Sequence, residues 1–194
     1  MDLILASGSP RRKELLSLYT TNFTICVSDF DESTVTADTP AQLVEKLARG
    51  KCLAVAKDHP GAVVLGCDTV VDVGGGVFGK PHSVEDAKRM LRALSGATHE
   101  VHTGVCVSDG LRTESFVDSC KVTFFPIPEE EIDAYTATKE PYDKAGAYAI
   151  QGRAALWLDR LEGDYYTIMG LPVSRTARPV SYTHLRAHET VLDL

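Results

Sequence analysis

Leu3-Ile4-Leu5-Ala6-Ser7-Gly8-Ser9-Pro10-Arg11-Arg12 joins a short apolar run to a sequence suited to starting a helix. The run Leu3–Ala6 reads as a buried strand. Ser9 suits the N-cap and Pro10 the first helical position. A helix beginning there points its free N–H groups back toward the end of the strand, where an anion would be held. Arg11 and Arg12, in the first turn, oppose the helix dipole unless an anion sits among them. Two solvated arginines on a surface helix are the competing reading, and these ten residues alone leave it open.

The 194 residues are 44% hydrophobic and 24% charged, which is the composition of one ordinary globular domain with enough chain for a sizeable core. No apolar segment reaches the length of a bilayer span, and Met1-Asp2-Leu3 runs into the strand pattern without a basic leader, so a cytoplasmic protein is expected. Cys26, Cys52, Cys67, Cys106 and Cys120 are scattered and include no C-x-x-C pair, so they read as reduced, mostly core-filling residues. A net charge of −7, from 27 acidic and 20 basic residues, argues against sequence-independent nucleic-acid binding. A small anionic ligand needs only a local cluster of Lys and Arg.

Strands and helices alternate along the chain without a low-complexity linker, which predicts a mixed α/β fold. Phe23–Val27 reads as a short strand and Asp29-Phe30-Asp31-Glu32 as an acidic turn. Thr39-Pro40-Ala41-Gln42 opens a helix through a capping box, with Leu43, Leu47 and Leu53 as its apolar residues and Lys46, Arg49 and Lys51 as its basic ones. Val63–Val73 is a β-branched strand. Ser83 caps a helix whose apolar face is Ala87, Met90, Leu91 and Leu94. Val101–Val107 and Phe116–Phe125 form a β-pair through Asp109-Gly110, and Glu129–Tyr135 is a short helix with an acidic start.

Gly74-Gly75-Gly76-Val77-Phe78-Gly79-Lys80-Pro81 nearly spells the G-x-x-x-x-G-K phosphate loop, but Pro81 stands where a magnesium-binding hydroxyl is needed. Its flanks, Val70–Val73 and Val77-Phe78, read instead as a hairpin. Lys80 remains a cation at a strand end under either reading. Asp68 lies among Val and Leu in a strand, where a carboxylate needs a cation, a metal or an exposed face. Asp31 and Glu32, taken alone, read as solvated loop carboxylates; with Asp68 they can also serve phosphate chemistry through a metal.

Together, Ser7–Arg12, Asp31-Glu32, Lys51, Asp68-Thr69-Val70-Val71, Gly79-Lys80-Pro81, Leu94-Ser95-Gly96 with His99 and Thr103-Gly104, Glu140-Pro141 with Asp143–Tyr148, Ile150-Gln151-Gly152 and Gly170-Leu171-Pro172 resemble the Maf family of nucleoside triphosphate pyrophosphatases. The resemblance runs in order from Met1 to about Ser174. It implies an elongated mixed sheet flanked by helices, similar to inosine triphosphate pyrophosphatase, with two lobes and a central cleft. The implied reaction is metal-dependent hydrolysis of a nucleoside triphosphate to monophosphate and pyrophosphate, with developing charge held by cations and by Mg²⁺ or Mn²⁺. Carried over by resemblance, Ser9, Arg11, Arg12, Lys51 and Lys80 bind the triphosphate, Asp68 is the general base, and Glu32 and Asp68 hold the metal. Arg12, Thr69 and Gln151 resemble the branch acting on dTTP and UTP, and the Gln151 amide offers the donor and acceptor that a uracil or thymine edge needs. A buried amide capping the turn at Gly152 is the competing reading of Gln151. Modified pyrimidines such as 5-methyl-UTP and pseudo-UTP would make the role one of housecleaning.

The expected partner is the nucleotide itself, with no nucleic acid and no membrane, and a homodimer is compatible with the chain. A non-catalytic regulator of septum formation is the alternative function, and a P-loop phosphotransferase a weaker one. Trp157, Tyr165 and Tyr166 read as packing residues, and His99 and His102 as residues of a β-edge. After Ser174 the family pattern calls for a closing amphipathic helix, which Arg175-Thr176-Ala177-Arg178-Pro179 interrupts. Val180–Thr190 resembles translated adaptor sequence. The domain is therefore set at 1–174, with 175–194 an atypical, non-native tail.

Overall fold

The structure, a computed structural model, describes residues 2–180. Among them, seven strands form one mixed sheet in the order β2-β1-β3-β5-β6-β7, with β4 paired to β3. The strands are β1 (Leu3–Leu5), β2 (Thr24–Ile25), β3 (Val63–Val73), β4 (Gly76–Phe78), β5 (Thr98–Ser108), β6 (Thr113–Phe124) and β7 (Leu158–Glu162). Helices α1 (Pro10–Ser17), α2 (Pro40–Asp58), α3 (Val84–Leu94), α4 (Glu129–Thr136) and α5 (Tyr165–Met169) connect them, and residues 173–180 are also helical. This is the mixed α/β class that the sequence predicts.

The chain falls into two compact units. One comprises Met1–Asp68, Thr103–Asp118 and the segment from Gly170; the other comprises Thr69–His102 and Ser119–Met169. In the first unit β1 pairs in parallel with β2 and with β3, Leu5 standing opposite Leu65. The core of this unit holds Ile4, Ala6, Ala48, Cys52, Val55, Val64 and Cys106. Cys52, Cys67, Cys106 and Cys120 are free thiols buried as small apolar residues, and burial pushes Cys67 up to about 11.

Glycines set how α2 lies in that unit. A Cβ on Gly66 of β3 would fall 2.4 Å from the Ala48 carbonyl oxygen and 2.7 Å from Cys52 Cβ, and one on Gly104 of β5 would fall 2.2 Å from the Val44 carbonyl. The helix backbone therefore lies directly on the strands, a separation that only missing side chains allow. Its buried residues are accordingly Val44, Leu47, Ala48, Cys52 and Val55. Of the three leucines read as its apolar residues, only Leu47 is buried; Leu43 is half-buried and Leu53 exposed. The start of α2 follows the capping-box reading in part. Thr39 Oγ1 accepts from Gln42 N–H at 3.2 Å, but Gln42 Oε1 reaches the Asp38 N–H.

In the second unit, Val71 to Val73 pair antiparallel with Phe78 to Gly76 across Gly74 and Gly75, both at positive φ. Gly79-Lys80 thus leaves a hairpin strand, and α3 begins only at Val84, so the G-x-x-x-x-G-K spacing does not build a phosphate loop. Helix α3 buries Ala87, Met90, Leu91 and Leu94 and is capped by Ser83 Oγ, which accepts from Asp86 N–H at 3.1 Å. Trp157 is buried against Tyr135 and Phe124, as a packing residue.

Several expectations change. The second strand shrinks from Phe23–Val27 to Thr24–Ile25, because its partner among the described residues, β1, is three residues long. Tyr165 and Tyr166 are exposed and stack edge to face on each other instead of filling the core. His99 and His102 are buried on β5, which lies between β3 and β6 and is no edge. Residues 175–179 do not interrupt the last helix: Thr176 N–H bonds the Pro172 carbonyl at 2.9 Å, and Thr176 and Val180 are buried. Residues 181–194, most of the expected tail, lie outside the described residues.

Candidate active site

The parallel register of β1 and β3 puts Ser7, two residues past the carboxyl end of β1, level with Cys67 and next to Asp68 in the middle of β3. The carboxyl ends of parallel strands are where α/β sheets collect ligands. Ser9 holds the N-cap position of α1, with φ −70° and ψ 120°, but its hydroxyl makes no capping bond. Ser7 Oγ does the local work, accepting from Ser9 N–H at 3.3 Å and from Arg12 Nη1 at 3.1 Å. Arg12 Nε also donates to the Gly170 carbonyl at 2.9 Å. Arg12 is therefore a half-buried, anchored guanidinium, and the solvated-pair alternative fails for it. Arg11 is half-buried beside it.

Lys51 lies at the centre of the second cluster in this unit. Its Nζ is 2.6 Å from Asp68 Oδ1 and 3.0 Å from Glu32 Oε1, with side-chain exposures of 15% for Lys51, 13% for Asp68 and 55% for Glu32. Gly66 seats α2 on β3 just before Asp68, which sets the height of Lys51 above that carboxylate. A second glycine contact brings in Glu32: a Cβ on Gly50 would collide with the Phe30 ring at 2.3 Å, so the ring packs directly on the helix backbone. Between Phe30 and Glu32, Asp31 caps the short 3₁₀ helix Glu32–Thr34, accepting from Ser33 N–H at 3.0 Å and from its hydroxyl at 2.7 Å. Those bonds hold the Asp31 carboxyl below the usual range. Asp31 is thus the turn's internal cap, and Glu32 is the member of the pair that faces Lys51.

The remaining candidates belong to the second unit. Thr69 follows Asp68 along β3 and is half-buried. Lys80 is exposed, and the Gly79 carbonyl just before it accepts from Gly146 N–H at 3.1 Å. Gly146 has φ 70°, and a Cβ there would meet Val71 at 2.7 Å, so this strap requires glycine. Gln151 is exposed at the end of the buried run Ala147–Ile150, so it is not the buried turn-capping amide. The residues are thus grouped as Ser9, Arg11, Arg12, Glu32, Lys51 and Asp68 in one unit and Thr69, Lys80 and Gln151 in the other.

Among the described residues no group of three His, Cys, Asp or Glu side chains forms a ready metal cage. The donors present suit a different arrangement. Asp68 and Glu32 converge on one cationic point, and a hard divalent ion that keeps several waters needs only one or two carboxylates plus substrate phosphates. Sequence reasoning missed the Phe30–Gly50 and Gly66 contacts that set this geometry. Gly50 carried a signal, since a glycine inside a helix costs about 1 kcal/mol relative to alanine and calls for a packing reason.

Residues 2–182 match the family model described as Maf-like protein. A dTTP/UTP pyrophosphatase of Bacillus cytotoxicus (strain DSM 22905 / CIP 110041 / 391-98 / NVH 391-98) is 49% identical over 175 residues, covering 90% of this chain and 92% of that protein. A dTTP/UTP pyrophosphatase of Bacillus mycoides (strain KBAB4) is 48% identical over 176 residues, covering 91% and 92%. Among solved structures, the Ham1 protein of Staphylococcus aureus aligns with a TM-score of 0.49 at 16% identity, over 64% of this chain and 72% of that one. By the length of the family match and by these identities, the chain belongs to the Maf family.

Proposed function

We propose that this protein is a metal-dependent nucleoside triphosphate pyrophosphatase acting on dTTP and UTP, and on modified pyrimidine analogues, in housecleaning of nucleotide pools. The observation that carries the reading is Lys51 Nζ held between Asp68 and Glu32, in the same unit where Ser7 anchors Arg12. Relatives that are nearly half identical and are named for dTTP and UTP support this choice of substrate.

Attack of water on the α-phosphorus, with pyrophosphate leaving, requires a base for the water and cations for the charge spreading over the phosphate oxygens. Asp68 spends Oδ1 on Lys51 and offers Oδ2 to a water proton. Arg12 is already oriented by Ser7 and the Gly170 carbonyl, so little side-chain entropy is lost when it grips a phosphate bidentately. Arg11, the Ser9 hydroxyl and Lys80 complete the phosphate ligands. A divalent cation, Mg²⁺ or Mn²⁺, would be held by Asp68 and Glu32 and would supply Lewis-acid stabilisation of the phosphate charge. Thr69 and Gln151, with Arg12, set the choice of base.

Product analysis over a panel of nucleoside triphosphates with Mg²⁺ or Mn²⁺ tests this reading. Pyrophosphate with UMP or dTMP, lost in Asp68→Asn, is the expected result. Orthophosphate with the nucleoside diphosphate would overturn it.

A further inference from the structure

Gln151 has a long side chain and stands exposed, yet a base reader has to be placed to within a few tenths of an ångström. What fixes its backbone is one carboxylate. Glu140 Oε1 accepts from the Tyr135 hydroxyl at 3.0 Å and from the Arg153 N–H at 3.0 Å. The same Tyr135 oxygen accepts from the Ala149 N–H at 3.0 Å. Ala149 and Arg153 stand two residues to either side of Gln151, so a single Tyr–Glu pair ties down both flanks. Between them the turn closes through Gly152 N–H to the Ala149 carbonyl at 2.9 Å.

The clamp is built from the other side as well. Tyr135 is 1% exposed, with its ring edge to face against Trp157 at 4.9 Å. The backbone carbonyl of Glu140 accepts from Lys144 Nζ at 2.8 Å. A Cβ on Gly152 would fall 2.0 Å from Glu140 Oε1, so the carboxylate lies flat on the turn. Such contact suits a structural hinge pin more than a solvated acid.

We propose that Glu140 is a positioning residue for base selection: through Arg153 N–H and Tyr135 its carboxylate fixes the turn that carries Gln151, and so holds the amide to the uracil and thymine edge. The inference rests on the reading of Gln151 as the base contact. A cytosine edge reverses the donor and acceptor order at N3 and C4, so an amide placed for uracil meets it with like groups unless it turns over, and a loosened turn gives the side chain the room to do so. Selectivity then falls, because a site rejects an analogue only when mismatched polar groups are forced to stay unpaired.

The experiment compares kcat/KM for UTP and CTP in the full chain for wild type, Glu140→Ala, Glu140→Gln, Tyr135→Phe and Gln151→Ala. Glu140→Ala should lower the UTP-over-CTP ratio about tenfold, mainly through a higher KM for UTP, as expected when one or two hydrogen bonds that set a ground-state contact are lost. Glu140→Gln keeps an acceptor oxygen for both donors and should hold the ratio. Tyr135→Phe keeps the ring on Trp157 and should lower the ratio, which covers the case in which Glu140→Ala does not fold. If Gln151→Ala collapses the ratio while Glu140→Ala and Tyr135→Phe leave it intact, the positioning role is overturned and the base contact stands. If Gln151→Ala itself leaves the ratio intact, the base contact fails and the positioning role falls with it. An equal loss in Glu140→Gln and Glu140→Ala would also overturn the proposal.

Discussion

Gly66→Ala puts one methyl group where α2 rests on β3. The added Cβ would lie 2.4 Å from the Ala48 carbonyl oxygen and 2.7 Å from both the Cys52 nitrogen and Cys52 Cβ, against ordinary contacts that begin at 3.4 Å. Two of the three obstructing atoms are backbone, so a rotamer change cannot relieve the overlap. The helix must move about 1 Å from the strand, which takes the Lys51–Asp68 contact from 2.6 Å to a separation outside hydrogen bonding. Overpacking of this kind costs roughly 1–3 kcal/mol. For a chain of this size that lowers Tm by roughly 2–12 °C. A misplacement of 1 Å in a reacting group costs roughly 10²-fold in rate. Gly104→Ala is the control: its Cβ would fall 2.2 Å from the Val44 carbonyl, seven residues before Lys51, so it should lose comparable stability and far less activity. Calorimetry with single-turnover assays on UTP checks both. A Gly66→Ala protein with wild-type turnover, or a Gly104→Ala protein as inactive as Gly66→Ala, would refute the claim that Gly66 sets the height of Lys51.

Other outcomes are expected from the same geometry. Lys51→Met strips the ammonium from Asp68 and Glu32; it should cost about 1–3 kcal/mol in urea unfolding, the penalty of a poorly solvated charge without its partner, and should abolish measurable turnover. Gly50→Ala drives a Cβ into the Phe30 ring and should loosen Glu32 more than the fold, seen as a raised metal requirement at nearly unchanged Tm. Burial lowers His99 from 6.5 to about 4, so the unfolded chain binds more protons between those values. Its contribution to stability is complete above pH 6.5 and is lost as pH falls toward 4, up to about 3 kcal/mol. His99→Gln should flatten that limb in urea titrations at successive pH values. Chelation should stop turnover, and added Mn²⁺ or Mg²⁺ should restore it.

Helix α3 and the β3–β4 hairpin were legible because periodicity and turn chemistry agree there: Ala87, Met90, Leu91 and Leu94 recur at helical spacing, and Gly74-Gly75 demands the turn. Helix α2 misled the reading of its face. Hydrophobicity favours its leucines, whereas a helix lying on Gly66 and Gly104 has room inward for small residues, which is why Ala48 and Cys52 are buried and Leu53 is not. Arg175–Pro179 looked like a break, yet residues 173–180 are helical and Thr176 N–H bonds the Pro172 carbonyl. At the site, residue types and their order pointed to Lys51, Asp68 and Glu32 through resemblance. The hydrogen bond between Lys51 and Asp68, seventeen residues apart, follows from packing and is not written in any local pattern. Glu140 stood in a quoted motif without a role, since a carboxylate acting on a backbone thirteen residues away has no spacing signature.

Lys51 gives the resting protein an internal counter-ion. With an ammonium already seated between Asp68 and Glu32, the two acids do not repel each other open when no cation is supplied. Asp68 and Glu32 are thereby kept facing one point as a pair of hard oxygen donors, instead of being assembled from separate segments when a cation arrives. Protein kept without metal should consequently stay folded, survive storage in chelator, and recover its rate within the mixing time once Mn²⁺ or Mg²⁺ is added.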